Sequence, residues 1–221
     1  GAKIHRQMRV TGMTQKPSGE WHVTTDKDEF NAEQIITAAG TWAYEIGQMA
    51  GLELPVVPVL HQYLVTDRIE AVATRDDELP IIRDAEESWY VRQERDGMII
   101  GPYEQNGKPW SIDLVPPKFG MELLPPDLDS IEHIVAMTME RIPVLADAGI
   151  KTVVNGPITF TPDANPLIGP AYGLANCWLL TGSSMGVMEG GAAGKYLAEW
   201  IIGGEPPNDS LADDPRRFGE Y

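Results

Sequence analysis

Short apolar runs broken by Gly, Pro and Ser dominate this chain, and several of them pass into a helical period. Residues 2–14 and 20–25 read as two strands around the turn Lys16-Pro17-Ser18-Gly19. Glu33 to Ala39 (EQIITAA) reads as a short buried strand ending at Gly40. Thr41 is a candidate N-cap for a helix carrying Trp42, Ile46 and Met49 on one face, with Gly51 as its stop. The predicted order is strand, strand, strand, helix. The small residues Ala38-Ala39-Gly40 at the last junction let a flat or phosphorylated group approach the backbone.

After Pro55 the pattern changes. Val56 to Thr66 (VVPVLHQYLVT) is β-rich, and Leu79–Arg83, Trp89–Gln93 and Met98–Tyr103 follow as short strands separated by turn signals. This reads as an antiparallel sheet in a lobe of its own. Pro125-Pro126-Asp127 predicts the start of a helix reaching about Ile142, apolar at Ile131, Ile134 and Val135 and carrying Thr138 on that face. Thr152 to Thr161 predicts another strand, with a turn at Pro162-Asp163. The tail GEPPNDSLADDPRRFGEY reads as a linker or terminus, with Arg216, Arg217, Phe218 and Tyr221 available for docking.

Residues Cys177 to Gly203 (CWLLTGSSMGVMEGGAAGKYLAEWIIG) carry the strongest local signal: an apolar run, a Gly/Ser turn and a long helix opening out of it. Backbone N–H groups at such a helix N-terminus suit an anion, an electron-rich carbonyl or a phosphate. Two other readings stand beside this one. A Gly-rich turn can serve only to pack a helix close to a sheet. Gly182, Ser184 and Gly186 also form G-x-S-x-G, the nucleophile-elbow pattern of hydrolases. That fold places its histidine after the serine, whereas His5, His22, His61 and His133 all precede Ser184. The spacing of histidines, of acidic residues and of the lone cysteine suggests no metal site, and no G-x-G-x-x-G is present.

Composition narrows the partners. The chain has 221 residues, enough for one large or two small domains, and 43% hydrophobic residues, a globular value. Its 33 acidic against 17 basic residues give a formal charge of −16, which disfavours nucleic acid and anionic membranes. The longest apolar runs are too short to span a bilayer. Cys177 lies in an apolar run and reads as a buried, inert thiol, in keeping with a reducing compartment. GAKIHRQMRV lacks the apolar stretch of a signal peptide and does not begin with Met, so a trimmed chain or one piece of a longer protein is expected.

Two side-chain groupings suggest chemistry. In His61-Gln62-Tyr63, alternation puts His61 and Tyr63 on one strand face and Gln62 on the other. Tyr90 and Arg92 share a face at i and i+2, where a phenol and a guanidinium can bind a carboxylate; an ordinary solvated pair is the alternative.

Four stretches together resemble the dimethylglycine/sarcosine dehydrogenase family, flavoproteins of the glycine/D-amino-acid oxidase type. They are AAGTWAYEIGQMAGLELPVVPVLHQYLVT, SWYVRQERDGMIIGPYE, VVNGPITFTPDANPLIGP and WLLTGSSMGVMEGGAAGKYLAEWIIGGEPPNDSLADDPRRF, in family order and spacing. The resemblance implies a mixed α/β (α+β) fold: part of an FAD-binding Rossmann-like domain together with an antiparallel-sheet substrate domain. It implies that residues 1–54 and 149–206 belong to the FAD-binding domain, 55–148 to the substrate domain and 207–221 to a linker or tail. The family's G-x-G-x-x-G segment precedes the region matched here. A folate-binding region often follows its DPxRF tail, so FAD, and tetrahydrofolate through a further C-terminal region, are the cofactors implied.

By the same resemblance, Val10 lies beside the adenine, Ala39 and Gly40 flank the pyrophosphate, and Trp42 lies near the flavin. Gly182, Ser183, Ser184, Met185, Gly186 and Val187 meet the pyrimidine end of the flavin ring, and Asp163 sits in a turn near the cofactor. A positive helix end there would stabilise charge on the reduced ring. The turn reads GSSMG where relatives often carry a Gly/Phe-rich version. His61 and Tyr90 match positions lining the amine pocket, with Arg92 as partner for the substrate carboxylate. The implied partners are a small N-methylated amino acid and an N-terminal FAD-binding segment or separate subunit. The implied compartment is the cytoplasm, or the mitochondrial matrix in a eukaryote. The expected activity is N-demethylating oxidation of that amine. A non-catalytic subunit that binds a partner is the alternative.

Overall fold

The computed structural model describes residues 1–219. In chain order its strands are β1 (Val10–Gln15), β2 (Trp21–Thr25), β3 (Glu29–Ala32), β4 (Ile35–Thr37), β5 (Val57–Thr66), β6 (Ile82–Asp84), β7 (Trp89–Glu94), β8 (Gly97–Pro102), β9 (Ile150–Phe160), β10 (Leu167–Pro170) and β11 (Cys177–Thr181). The helices are α1 (Ala43–Met49), α2 (Glu70–Ala73), α3 (Glu132–Arg141) and α4 (Gly186–Gly203). The chain divides into two compact units. One comprises Gly1–Pro58, Ser111–Pro117 and the residues from Ile158 onward; the other comprises Val59–Trp110 and Lys118–Pro157.

The first unit carries two three-stranded sheets. Strands β1, β2 and β3 form an antiparallel meander, with a register irregularity between Val10 and Gly12. In the other sheet the order is β10-β11-β4: β10 runs antiparallel to β11, and β4 runs parallel to it with Thr37 opposite Leu179. Trp21, Ala43, Leu54, Leu167, Cys177 and Leu179 pack as one buried cluster. Each large apolar side chain so buried contributes roughly 1.5–3 kcal/mol. Trp200 of α4 lies edge-on to Trp178 and covers the backbone of β10 at Gly169, where a Cβ would sit 2.7 Å from the indole.

The second unit is built on a five-stranded sheet ordered β6-β7-β8-β5-β9, with antiparallel pairing of β6 with β7, β7 with β8 and β8 with β5. Leu64, Val91 and Ile100 of this sheet pack with Ile131 and Ile134 at the start of α3. Buried Thr138 of α3 returns its hydroxyl to the Ile134 carbonyl, so it costs no unsatisfied donor.

Several elements differ from the sequence expectation. Residues 2–9 are not strand, because β2 offers partners only for Val10–Gln15. Thr41 does not cap α1; it lies inside the 3-10 turn Gly40–Trp42, and α1 starts from Trp42 without a side-chain cap. The helix expected from Pro125-Pro126-Asp127 begins at Glu132. Asp127 is instead held by Gln62, whose amide oxygen accepts from the Asp127 N–H and whose amide nitrogen donates to the Asp127 carbonyl. The tail is docked on its own unit: Ile168 donates to the Asp213 carbonyl, Pro215–Phe218 forms a 3-10 turn, and Phe218 packs against the buried cluster. Tyr221 lies outside the described residues.

Candidate functional site

In the first unit the strand–turn–helix forms as its sequence predicts. β11 ends at Thr181, and Gly182 takes a left-handed conformation (φ 71°). A Cβ at Gly182 would lie 2.7 Å from Thr161 Cγ2, so the turn closes against the protein at this point. Beyond it the chain opens. Ser183, Ser184, Met185 and Gly186 border a cavity of about 650 Å³ shared with Thr181 and Glu189.

α4 starts at Gly186, with Met185 as an N-cap that makes no side-chain capping bond. The leading N–H groups of a helix have no intrahelical acceptor and concentrate its positive end. Val187 and Met188 are exposed there. The Ser183 hydroxyl donates to Glu189 over 2.8 Å. Sequence reasoning did not single out Glu189; its place in the first turn of α4 was the available signal. The Thr181 hydroxyl is buried with no hydrogen-bond partner among the described residues. An unsatisfied buried hydroxyl costs about 1–3 kcal/mol, which a polar ligand atom would recover.

Ala39 and Gly40 follow β4, and Gly182 follows β11. Because these two strands run parallel, both junctions leave the same end of the sheet. Crevices outside the carboxyl ends of parallel strands are where ligands bind in α/β sheets. Trp42 is part-buried between the 3-10 turn and α1. Val10 stands on the other sheet, opposite Thr25. Asp163 accepts from Thr161 Oγ1 and from the Asn165 N–H, and pairs through both oxygens with Arg217 at 2.7 and 2.9 Å. The Arg217 guanidinium holds the Asp163 carboxyl far below the usual carboxylate range.

In the second unit a polar and aromatic cluster forms around Tyr103. His61 Nδ1 lies 2.8 Å from Glu104 Oε2, with the two side chains 18% and 8% exposed. The His61 ring stacks on Tyr103 at 5.4 Å, and Tyr90 lies tilted against the same ring at 5.6 Å. His61 and Tyr90 thus share one phenol as a neighbour. The Arg83 guanidinium stands 5.3 Å from the same ring. Burial chiefly, and Tyr103 next, push the Tyr90 phenol above its ordinary value. Arg92 bonds to Glu94 at 2.8 Å and to the Gln93 carbonyl at 3.1 Å. Tyr103, Glu104 and Arg83 were not singled out from sequence, since only the pairing of β6, β7, β8 and β5 brings them to Tyr90 and His61.

The model of the family described as FAD dependent oxidoreductase, DAO, matches residues 1–200. Mitochondrial dimethylglycine dehydrogenase of Mus musculus is 46% identical over 226 residues, covering 100% of this chain and 26% of that protein. Mitochondrial sarcosine dehydrogenase of Mus musculus is 37% identical, over 99% of this chain and 24% of its own length. The chain therefore spans about a quarter of these relatives. Among solved structures, L-proline dehydrogenase from P. horikoshii superposes with a TM-score of 0.81 at 26% identity, covering 99% of this chain and 55% of that one. Glycine oxidase from Geobacillus kaustophilus has the same fold, with a TM-score of 0.74. The chain belongs to the DAO family of FAD-dependent oxidoreductases and is a relative of the dimethylglycine and sarcosine dehydrogenases.

Proposed function

We propose that this chain supplies the flavin-contacting turn and the amine-handling residues of an FAD-dependent oxidoreductase that oxidises the N-methyl group of a small secondary or tertiary amino acid, of dimethylglycine or sarcosine type. The observation that carries this reading is the uncapped start of α4, opening on a cavity at the carboxyl end of β11. The residues present fit the cofactor: small side chains at Ser183, Ser184 and Gly186, and an orphaned hydroxyl at Thr181.

When bound, the flavin supplies the acceptor for the hydride lost from the N-methyl carbon. In this reading the amides from Gly182 to Val187 hold the pyrimidine end of its ring, and Ala39, Gly40, Trp42, Val10 and Asp163 support the remainder. Residues 1–54 and 149–206 serve the cofactor, and residues 55–148 serve the amine. Hydride loss needs the nitrogen lone pair free, so the substrate ammonium must first give up its proton. His61 takes that proton and Tyr90 hydrogen-bonds the substrate. Arg92 is the carboxylate partner read from sequence; Arg83, beside Tyr103, is a second candidate. The product iminium yields formaldehyde or passes its carbon to tetrahydrofolate.

The test uses the full-length protein. It should purify with flavin absorbance that bleaches on anaerobic mixing with dimethylglycine or sarcosine. His61→Ala and Tyr90→Phe should each slow bleaching by about 10²–10⁴-fold. A colourless full-length protein, or a flavin that neither amine bleaches, would sink this reading in favour of a non-catalytic subunit.

A further inference from the structure

The His61–Glu104 pair specifies more than proximity. Glu104 uses its two oxygens for different partners. Oε1 accepts the backbone N–H of Gln62 over 3.1 Å, and Oε2 meets His61 Nδ1 at 2.8 Å. Gln62 is itself immobilised: it is 2% exposed, and its amide is tied to both the N–H and the C=O of Asp127 and to the Ser130 hydroxyl. The backbone donor that orients Glu104 is therefore fixed.

A carboxylate only accepts hydrogen bonds. His61 must then carry its proton at Nδ1, which leaves Nε2 of the neutral ring as an acceptor. Stacking on Tyr103 fixes the plane of the imidazole. We infer that Glu104 is the positioning residue that sets the His61 tautomer and keeps Nε2 ready to take a proton, an inference that rests on the amine-handling role proposed for His61. The substrate N–H bond breaks, its proton joins Nε2, and the electron pair stays on the amine nitrogen. The resulting imidazolium keeps its Nδ1–H bond to Glu104.

Glu104→Gln is the informative variant, because it preserves shape while changing chemistry. The Gln62 N–H is an obligatory donor, so the new amide must turn its oxygen toward it. Its NH2 group then faces His61 and donates to Nδ1, which forces the proton to Nε2. A merely structural role for Glu104 predicts no such inversion.

The experiment is solid-state NMR of the full-length protein labelled with ring-15N histidine, at alkaline pH where the neutral ring is observed. His61 is assigned by its loss in His61→Asn. The expected result is an Nδ1–H tautomer in the parent protein and an Nε2–H tautomer in Glu104→Gln. Anaerobic flavin bleaching by dimethylglycine should slow in Glu104→Gln by about 100-fold, as much as in His61→Ala. An Nε2–H tautomer in the parent, or an unchanged tautomer in the variant, overturns the inference. So does full-rate bleaching by Glu104→Gln while His61→Ala is slow. Tautomer inversion accompanied by a full rate in His61→Ala upholds the positioning but sinks the role proposed for His61.

Discussion

The phenol ring of Tyr90 occupies the space that a side chain at Gly101 would need. The two residues stand opposite each other on β7 and β8, and a Cβ on Gly101 would fall 1.9 Å from Tyr90 Cε1. Gly→Ala in a strand ordinarily favours folding through backbone entropy. Here the overlap reverses the sign. Gly101→Ala should lower stability by about 1–3 kcal/mol, the usual range for overpacking, and displace Tyr90. Urea unfolding of the two proteins checks this, and an unchanged midpoint would refute the contact.

The Asp163–Arg217 pair predicts an acid limb of stability. The carboxyl is held below its ordinary value in the folded protein, so its contribution is complete above about pH 4. It is lost as pH falls from there through the depressed folded value. Asp163→Asn should flatten that part of the stability curve. With Asp163 38% exposed, the gain removed is about 1 kcal/mol or less. Urea midpoints from pH 3 to pH 7 measure it.

Cys177 should resist alkylation until the protein unfolds. It is buried, and burial pushes its thiol up to about 11. At pH 8 a thiol of that acidity is about 100-fold less ionised than an ordinary one near 9, and the thiolate is the nucleophile. Iodoacetamide labelling followed by mass spectrometry should therefore be at least about 100-fold slower in buffer than in denaturant. Prompt labelling of the native protein would contradict this.

Glu189 brings a negative charge to the same helix end proposed to stabilise the reduced cofactor. Glu189→Gln should leave the positive end of α4 unopposed and raise the two-electron potential of bound flavin. Helix-end charge effects of about 0.3–1 kcal/mol convert to roughly 5–20 mV. Spectroelectrochemistry of the full-length protein reads this directly, and a lower potential in the variant would exclude the proposed placement.

How much of this was legible in the sequence depended on range. The strand–turn–helix from Cys177 to Gly203 was plain, because an apolar run, Gly182 and a long small-and-apolar helix are all local signals. The alternation at His61-Gln62-Tyr63 correctly divided the faces: Gln62 is buried and His61 is part-exposed. β10 was missed because its four residues, Leu167–Pro170, follow one proline and end on another and carry no period. β3 was missed because Glu29–Ala32 lacks β-branched residues. The partners that give the candidate sites their chemistry lie far apart in sequence: Glu104 is 43 residues from His61, and Arg217 is 54 from Asp163. No local period encodes such pairings; they appear only once the sheets and the docked tail are in place.

The Pro-rich stretch after α4 therefore works as a brace. Asp213 supplies an acceptor to Ile168, Pro215 lies against Gly169, and Arg217 straps the bend that follows β9. A cut made just after Gly204, where composition suggests a natural seam, would strip one border of β10 and loosen the loop beside Gly182. Boundaries for expression or for grafting onto another protein belong beyond Phe218.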